Sequence, residues 1–182
     1  MYRYGIADYG KDMVIEMKQQ QFITEVLAAE KQLYGVARSM LKREVDCEDA
    51  IQNTLLRAYA NLKTLRNDNL FRTWLTRILI NECYRILDKE KRYMPYEERR
   101  DDRAQSMDLG NEYSEVYEAL MTLKESYRLV FALHYVEGYS VKETAQILKI
   151  SESNVKQRLL RARSQMKELL KGEMESEKHS CE

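Results

Sequence analysis

The stretch SVKETAQILKISESNVKQRLLRARSQMKELL, residues 140–170, predicts a helix, a short turn and a second helix rich in Lys and Arg. Ser140 and Glu143 form the S-x-x-E pattern of a capping box, in which two side chains satisfy backbone N–H groups at a helix start. Residues 149–151 turn the chain, and either Ser151 or Ser153 can cap the next helix. This pattern is typical of a helix-turn-helix, which places its second helix in the major groove of DNA.

The second helix of this stretch has a divided surface. Its apolar residues recur at i, +4, +7, +11 and +14 and so share one face: Val155, Leu159, Ala162, Met166 and Leu169. Polar side chains that can reach base edges or phosphates occupy the opposite face and its flanks: Ser153, Lys156, Gln157, Arg158, Arg161 and Ser164. A basic face is also typical of a solvated helical hairpin. The cap, the tight turn and the excess of basic residues together favour DNA binding.

Upstream, residues 46–62 (DCEDAIQNTLLRAYANL) predict another amphipathic helix. We expect Asp46 to be its N-cap, with acidic residues in the first turn, where the helix dipole favours negative charge. Its polar face carries Glu48, Asp49, Gln52, Asn53 and Arg57. Such a face is either solvated or docks a partner, and spacing does not separate the two.

A third helix is predicted over residues 70–91. Trp74 could stack a base, but it lies on the apolar stripe and is therefore expected in the core. Asn81 lies on the polar side near Arg77 and Arg85, with free donors and acceptors. The preceding loop, residues 62–70, could shape a pocket for an extruded base.

Composition indicates an all-α chain of two small helical domains. Only 6 Gly and 1 Pro occur in 182 residues, so few positions break helices. The 30 basic and 30 acidic residues balance, which excludes a chain that coats nucleic acid over its whole surface. We predict an N-terminal extension, a first domain, a flexible acidic linker, a second domain and a polar, frayed tail: residues 1–15, 16–93, 94–112, 113–171 and 172–182.

Motifs of catalysis are absent from the sequence. It has no Gly-rich phosphate loop, no G-x-S-x-G and no H-E-x-x-H, so we expect no enzyme activity, no catalytic residue, no cofactor and no small-molecule substrate. Cys47, Cys83 and Cys181 match no disulfide or zinc spacing, and we expect the first two to be buried thiols. His179 and Cys181 alone supply too few ligands to hold a metal ion. No apolar run approaches the roughly 20 residues of a membrane span, and no signal peptide is evident, so a cytoplasmic location is expected.

These segments resemble those of bacterial RNA polymerase sigma factors of the extracytoplasmic-function (ECF) group. Residues 46–62 resemble that family's region 2.2, and FRTWLTRILINECYRILDKEKR, residues 71–92, resembles its regions 2.3 and 2.4. Residues 117–169, ending in RLLRAR and a short run beyond it, resemble its region 4. The resemblance covers about residues 20–170, with the segments in the family's order.

The resemblance implies a subunit that directs core RNA polymerase to promoters. Docking on the clamp helices of the beta-prime subunit would involve Asp49, Gln52, Asn53 and Arg57. The −10 promoter element, including a flipped base, would be held by Arg77, Asn81, Arg85, Lys89, Lys91 and Arg92. The −35 element would be read by Ser151, Ser153, Asn154, Lys156, Gln157, Arg158, Arg161 and Arg163. The beta flap would hold the second domain, the linker would thread through the polymerase, and an anti-sigma factor, often membrane-bound in this family, would keep the chain inactive.

Two features depart from the family pattern. The N-terminal extension has no counterpart, and the RNDN sequence at residues 66–69 lies in a loop that varies with promoter sequence. The main alternative is an autonomous helix-turn-helix regulator, which leaves residues 46–92 without a role. A helical adaptor that binds only proteins leaves the basic helix unexplained. Because the net charge is zero, we expect weak DNA binding by the free chain, with polymerase supplying positioning.

Overall fold

The computed structural model describes residues 9–65, 67–93 and 114–179, with side chains for 19–65, 67–92 and 118–170. These residues form helices and helical turns with no strand among them, which confirms the all-α prediction. In chain order the helices are α1 (Tyr9–Met40), α2 (Glu44–Ala60), α3 (Phe71–Tyr93), α4 (Ser114–Thr122), α5 (Glu125–Phe131), α6 (Val141–Leu148) and α7 (Glu152–His179). Two 3-10 turns, Leu62–Thr64 and Asp68–Leu70, precede α3, and a π-turn, Ala132–Val136, follows α5.

Both chain ends are more helical than the sequence predicted. Helix α1 begins at Tyr9, inside the predicted extension, and residues 1–8 lie outside the described residues. Helix α7 continues to His179, through most of the segment predicted as a frayed tail. Each end prolongs a packed helix, and propagation adds one hydrogen bond per residue fixed once the helix exists. The predicted linker, 94–112, also lies outside the described residues.

The predicted N-cap of α2 is wrong. Helix α2 starts at Glu44, two residues before Asp46, and Arg43 stands at the N-cap position. Asp46 lies buried in the first turn, where its carboxylate accepts hydrogen bonds from Nε and Nη2 of Arg43 at 2.6 and 2.8 Å. This bidentate pair fixes both planar groups, and it uses carboxylate oxygens that a cap would have offered to the backbone.

The N-terminal helices α1, α2 and α3 pack on one another around an apolar core. The members buried from all three helices include Leu33, Val36, Ala50, Leu75 and Leu79. They recur at helical spacing, so each helix turns one apolar stripe inward. Burial of each large side chain stabilises the folded state by about 1.5–3 kcal/mol. Trp74 is partly buried and packs against this core, which confirms its structural role.

The helix-turn-helix has the predicted caps. Ser140 Oγ accepts a hydrogen bond from the Glu143 backbone N–H at 3.1 Å, and the Glu143 carboxylate accepts one from the Ser140 N–H at 2.9 Å. Lys149 ends α6 in the left-handed conformation at φ 53°, and Ser151 Oγ accepts from the Asn154 N–H at 3.2 Å. Of the two candidate caps, Ser151 is therefore the one used.

One apolar cluster spans both halves of the chain. Leu129, Leu133, Tyr139 and Ile147 of the C-terminal helices belong to the same buried cluster as the core of α1–α3. Helix α1 contacts α5 and the π-turn, and α3 contacts α6. Two further clusters lie within the C-terminal helices, and one of them joins Val130 and Ala145 to the apolar face of α7. The halves are thus packed against each other in this structure.

Candidate nucleic-acid interface

Helix α7 presents a polar surface next to a well-packed apolar face. Val155, Leu159, Ala162 and Met166 are buried, as their spacing predicted. Six of the eight residues proposed for −35 contact are exposed: Ser151, Ser153, Lys156, Gln157, Arg161 and Arg163. Asn154 and Arg158 are half-buried. The helix can therefore offer side chains to a groove without disturbing its own packing, as a recognition helix does.

Arg161 has a neighbour that the sequence did not reveal. Its Nη1 donates a hydrogen bond to the hydroxyl of Tyr127, 34 residues earlier on α5, at 3.2 Å. This hydrogen bond is the main cause that lowers the pKa of Tyr127. The contact ties the guanidinium to α5 on the exposed side of the helix-turn-helix.

The second polar surface runs along α3. Arg77, Asn81 and Arg85 are spaced by four residues, and Lys89, Lys91 and Arg92 continue the same side into the last turns. All of them are exposed except Arg77, which is half-buried. The Nε of Arg77 is buried and has no hydrogen-bond partner among the described residues. A buried donor without a partner is unusual in a folded protein.

The loop before α3 shapes a small cavity. Leu62, Leu65, Asp68 and Phe71 line it together with residues of α1, and its volume is about 50 Å³. That is room for a few water molecules. An extruded base would require the loop to open. The side chain of Asn67 accepts a hydrogen bond from the Asn69 N–H at 3.0 Å, which holds the second 3-10 turn.

The outer face of α2 combines polar and apolar exposure. Asp49, Gln52 and Asn53 are exposed, and Val45 and Leu56 lie on the same face at helical spacing, with 64% and 70% exposure. The two apolar side chains are about three turns apart on α2, with polar residues between them. Val45 and Leu56 lie off the buried stripe of α2, a position that helical periodicity in the sequence already indicates.

Arg57 has a structural partner within the protein. Its Nε lies 2.7 Å from Oε1 of Glu82, a carboxylate on α3 whose side chain is only 7% exposed. Arg85 lies 3.7 Å from the same oxygen. A buried charge needs such a counterion, so Arg57 joins α2 to α3 in addition to any contact with a partner.

Other candidate groups are structural. Cys47 and Cys83 are buried free thiols, as predicted, and burial raises their pKa to about 11 and about 12, respectively. His134 Nδ1 lies 2.7 Å from the backbone oxygen of Tyr139 and so braces the chain before α6. Within the described ranges no group of three or more His, Cys, Asp or Glu side chains could hold a metal ion. In the same ranges no helix has the length and apolar character needed to cross a membrane.

Comparison with known proteins assigns both surfaces to known regions. The model of sigma-70 region 2 matches residues 26–93, and that of sigma-70 region 4 matches residues 113–166. The chain is 31% identical over 144 residues to the ECF RNA polymerase sigma factor SigM of Mycobacterium tuberculosis, covering 77% of this chain and 72% of that protein. The chain belongs to the ECF group of RNA polymerase sigma factors.

Further sigma factors support this membership. RNA polymerase sigma factor SigV of Bacillus subtilis is 26% identical over 155 residues, covering 80% of this chain and 92% of that one. A solved structure of the sigma factor RpoE with the anti-sigma factor NepR from Bartonella quintana superposes with a TM-score of 0.69 at 27% identity, over 84% of this chain and 98% of that one. The solved structure of CnrH in complex with the cytosolic domain of CnrY superposes with a TM-score of 0.65 at 28% identity, over 85% of this chain and 90% of that one.

Membership decides between the alternatives raised by the sequence. Sigma factors are DNA-binding transcription initiation factors, and this chain is one of them. An autonomous helix-turn-helix regulator is not favoured, because region 2 accounts for residues 26–93, which that alternative leaves without a role. A helical adaptor that binds only proteins is not favoured either, because region 4 accounts for residues 113–166, whose basic helix that alternative leaves unexplained.

Proposed function

We propose that this sigma factor binds core RNA polymerase through α2, holds the −10 element with α3 and reads the −35 element with α7. The observation that carries the proposal is the division of α7 into a buried apolar face and an exposed basic one, behind a capped turn. The chain has no net charge, so its affinity for DNA rests on local surfaces and on the polymerase that positions it. We further propose that the chain acts in the cytoplasm, where template and polymerase meet, and that it has no catalytic residue or cofactor of its own.

For polymerase docking we propose the outer face of α2. Asp49, Gln52 and Asn53 surround the exposed side chain of Leu56. The clamp helices of the beta-prime subunit would cover that patch, and Arg57 would contribute while remaining paired with Glu82. The beta flap would hold the C-terminal helices. The proposed domain limits are residues 16–93 and 113–171, joined by the linker 94–112.

For the −10 element we propose two kinds of contact along α3. Asn81 would recognise a base, because an amide carries both a donor and an acceptor. Arg77, Arg85, Lys89, Lys91 and Arg92 would neutralise phosphates along the same side, and the loop at residues 62–70 would open to receive an extruded base. Unstacking a base costs a few kcal/mol, which those ionic contacts would offset.

For the −35 element we propose that α7 enters the major groove. Lys156, Gln157, Arg158, Arg161 and Arg163 would contact base edges and phosphates. The start of α7 would contact the phosphate backbone of the DNA through Ser151, Ser153 and Asn154, because the exposed N–H groups of a helix N-terminus favour phosphate.

An anti-sigma factor is a further proposed partner. The two solved relatives are sigma factors bound to NepR and to the cytosolic domain of CnrY. Similar folds over at least 84% of this chain support a similar mode of control here.

Run-off transcription tests the function. Purified core polymerase, with and without the chain, is assayed on a library of promoter fragments, and we expect initiation at sites that share −35 and −10 sequences. Arg161→Ala should then lower initiation by about 5- to 160-fold, the effect of a lost base contact of roughly 1–3 kcal/mol. Lys167→Ala removes an exposed charge from the same helix outside the proposed contacts and should change little. Equal activity of all three proteins would contradict the −35 assignment.

A further inference from the structure

One apolar side chain interrupts the polar surface of α7. Leu160 is 62% exposed, although Leu159 beside it is buried. Residues three and four positions away on a helix are neighbours on its surface. In both directions these neighbours of Leu160 are exposed and polar: Lys156, Gln157, Arg163 and Ser164. Leu160 is therefore an apolar point within the surface that α7 offers to its surroundings.

The direction of Leu160 follows from the geometry of the helix. The buried stripe of α7 consists of residues 155, 159, 162 and 166. At 3.6 residues per turn, Leu160 lies about 130° around the helix axis from the mean direction of that stripe. On the same scale it falls between Lys156 on one side and Gln157 on the other. Leu160 therefore belongs to the face that is proposed to enter the major groove, and not to the edge of the core.

The guanidinium next to Leu160 in the sequence is held toward another helix. Nη1 of Arg161 donates a hydrogen bond to the hydroxyl of Tyr127 on α5 at 3.2 Å. The ring of Tyr127 packs against a buried cluster that includes Leu120 and Ala162, so the hydroxyl is anchored from within the fold. The Arg161 side chain is thereby drawn to the α5 side of α7, and Leu160 keeps its exposure to solvent.

The major groove contains an apolar group that suits such a side chain. A single exposed leucine is common on protein surfaces and needs no partner, but this one lies amid the residues proposed to read DNA. Each thymine presents its C5-methyl group in the major groove, and apolar side chains make contact with it. Lys, Gln, Arg and Ser side chains supply hydrogen bonds or charge, which a methyl group does not accept. Leu160 is thus the groove-facing residue with the chemistry to detect that methyl.

We propose that Leu160 contacts the C5-methyl group of a thymine in the −35 element and so determines specificity at that base pair. The inference rests on the proposed entry of α7 into the major groove at this element. The polar neighbours of Leu160 hold the helix in the groove through base edges and phosphates. Leu160 adds an apolar contact that depends on one methyl group, since the contact removes apolar surface of both partners from water.

Replacing thymine by uracil removes the methyl group and keeps the hydrogen-bonding groups of the base. Core polymerase with the full chain, at sub-saturating concentration, is assayed for initiation on a promoter found by run-off transcription. Each thymine of its −35 element, on either strand, is replaced in turn by deoxyuridine. The chain is tested as wild type, Leu160→Ala and Leu160→Met. Leu27→Ala is the matched control, because Leu27 on α1 is 65% exposed and lies outside the proposed DNA contacts.

We expect initiation by the wild type to fall about fourfold at one deoxyuridine position, the effect of burying one methyl-sized group. Leu160→Ala should initiate equally on the thymine and deoxyuridine templates at that position, whereas Leu160→Met and Leu27→Ala should keep the wild-type ratio. An effect of uracil on DNA shape alone would persist in Leu160→Ala, so the double comparison isolates the contact. Circular dichroism checks that the variants retain their helix content.

Three results would overturn the inference. The first is wild-type initiation that is equal on thymine and deoxyuridine at every position, the second is equal discrimination by the wild type and Leu160→Ala, and the third is a −35 element without an A·T pair. Arg161→Ala on the thymine template identifies what has failed. If it lowers initiation while deoxyuridine has no effect, α7 still reads the element and only the role of Leu160 is lost. If no template gives initiation that depends on the chain, the proposed function fails as well.

Discussion

The core of α1–α3 is mainly apolar, whereas the contact between the two halves adds a polar network to the apolar cluster that the halves share. The core buries Leu33, Leu75 and Leu79 completely or nearly so, while the contact adds the Tyr139 hydroxyl and the Arg72 guanidinium. Apolar burial is non-directional and lost only on unfolding. Hydrogen bonds are exchanged for bonds to water at a small net change in free energy. Apolar burial thus stabilises both regions, and the polar network adds direction to the contact.

The largest effect is expected in the apolar core. Leu79→Ala removes a fully buried side chain of α3 and should lower the free energy of unfolding by about 2–5 kcal/mol. Urea denaturation followed by circular dichroism measures it. Leu56→Ala is the matched control, because Leu56 is 70% exposed and surface substitutions usually stay within about 0.5 kcal/mol. Equal losses in the two variants would show that α3 is not packed as described.

A smaller effect is expected for the hydroxyl at the contact. Tyr139→Phe keeps the ring over Arg72 but removes the hydrogen bonds to Thr76 and Gln32. This loss should weaken the packing of the two halves against each other by about 1 kcal/mol. Small-angle X-ray scattering from the free chain should show a larger average radius, with denaturation of the N-terminal helices nearly unchanged. Tyr59→Phe removes a hydroxyl that accepts a hydrogen bond from the exposed Gln19 and serves as control. An unchanged radius in Tyr139→Phe would show that the hydroxyl does not help to hold the two halves together.

The smallest effect is expected in how the packing of the two halves against each other depends on pH. Burial raises the pKa of Glu137 from 4.5 to about 7, opposed by the charges of Arg72 on α3 and Lys31 on α1. Burial also raises the pKa of Tyr139, with a smaller contribution from the Glu137 carboxyl. The stabilisation from a protonated carboxyl is complete below pH 4.5 and is lost as the pH rises through 7. The free chain should therefore be more compact at pH 5.5 than at pH 8.

Glu137→Gln provides the control for this dependence. The amide keeps the shape of the side chain without the ionisation, so the variant should remain equally compact at both pH values. A wild-type radius that does not change between pH 5.5 and pH 8, or a variant that changes as much as the wild type, would contradict a role for this carboxyl.

Local signals in the sequence predicted the helix-turn-helix well. Ser140 and Glu143 form the expected capping box, and Val155, Leu159 and Ala162 are buried as their spacing required. These features depend on residues within one or two turns of each other. The assignment of Asp46 as an N-cap failed because its preferred partner, the Arg43 side chain, competes with the backbone. The individual polymerase and promoter contacts remain predictions.

By itself the sequence determined the helices, their buried faces, the order of regions 2 and 4 and, through these, the family. Each follows from periodicity and short-range capping, which are properties of neighbouring residues. Only the tertiary structure decided that Arg57 neutralises Glu82, that Tyr127 holds Arg161 and that Gly35 receives Glu137. The partners in these pairs are 25, 34 and 102 residues apart, so their contact depends on how packed helices meet. Spacing along one helix carries no information about that meeting.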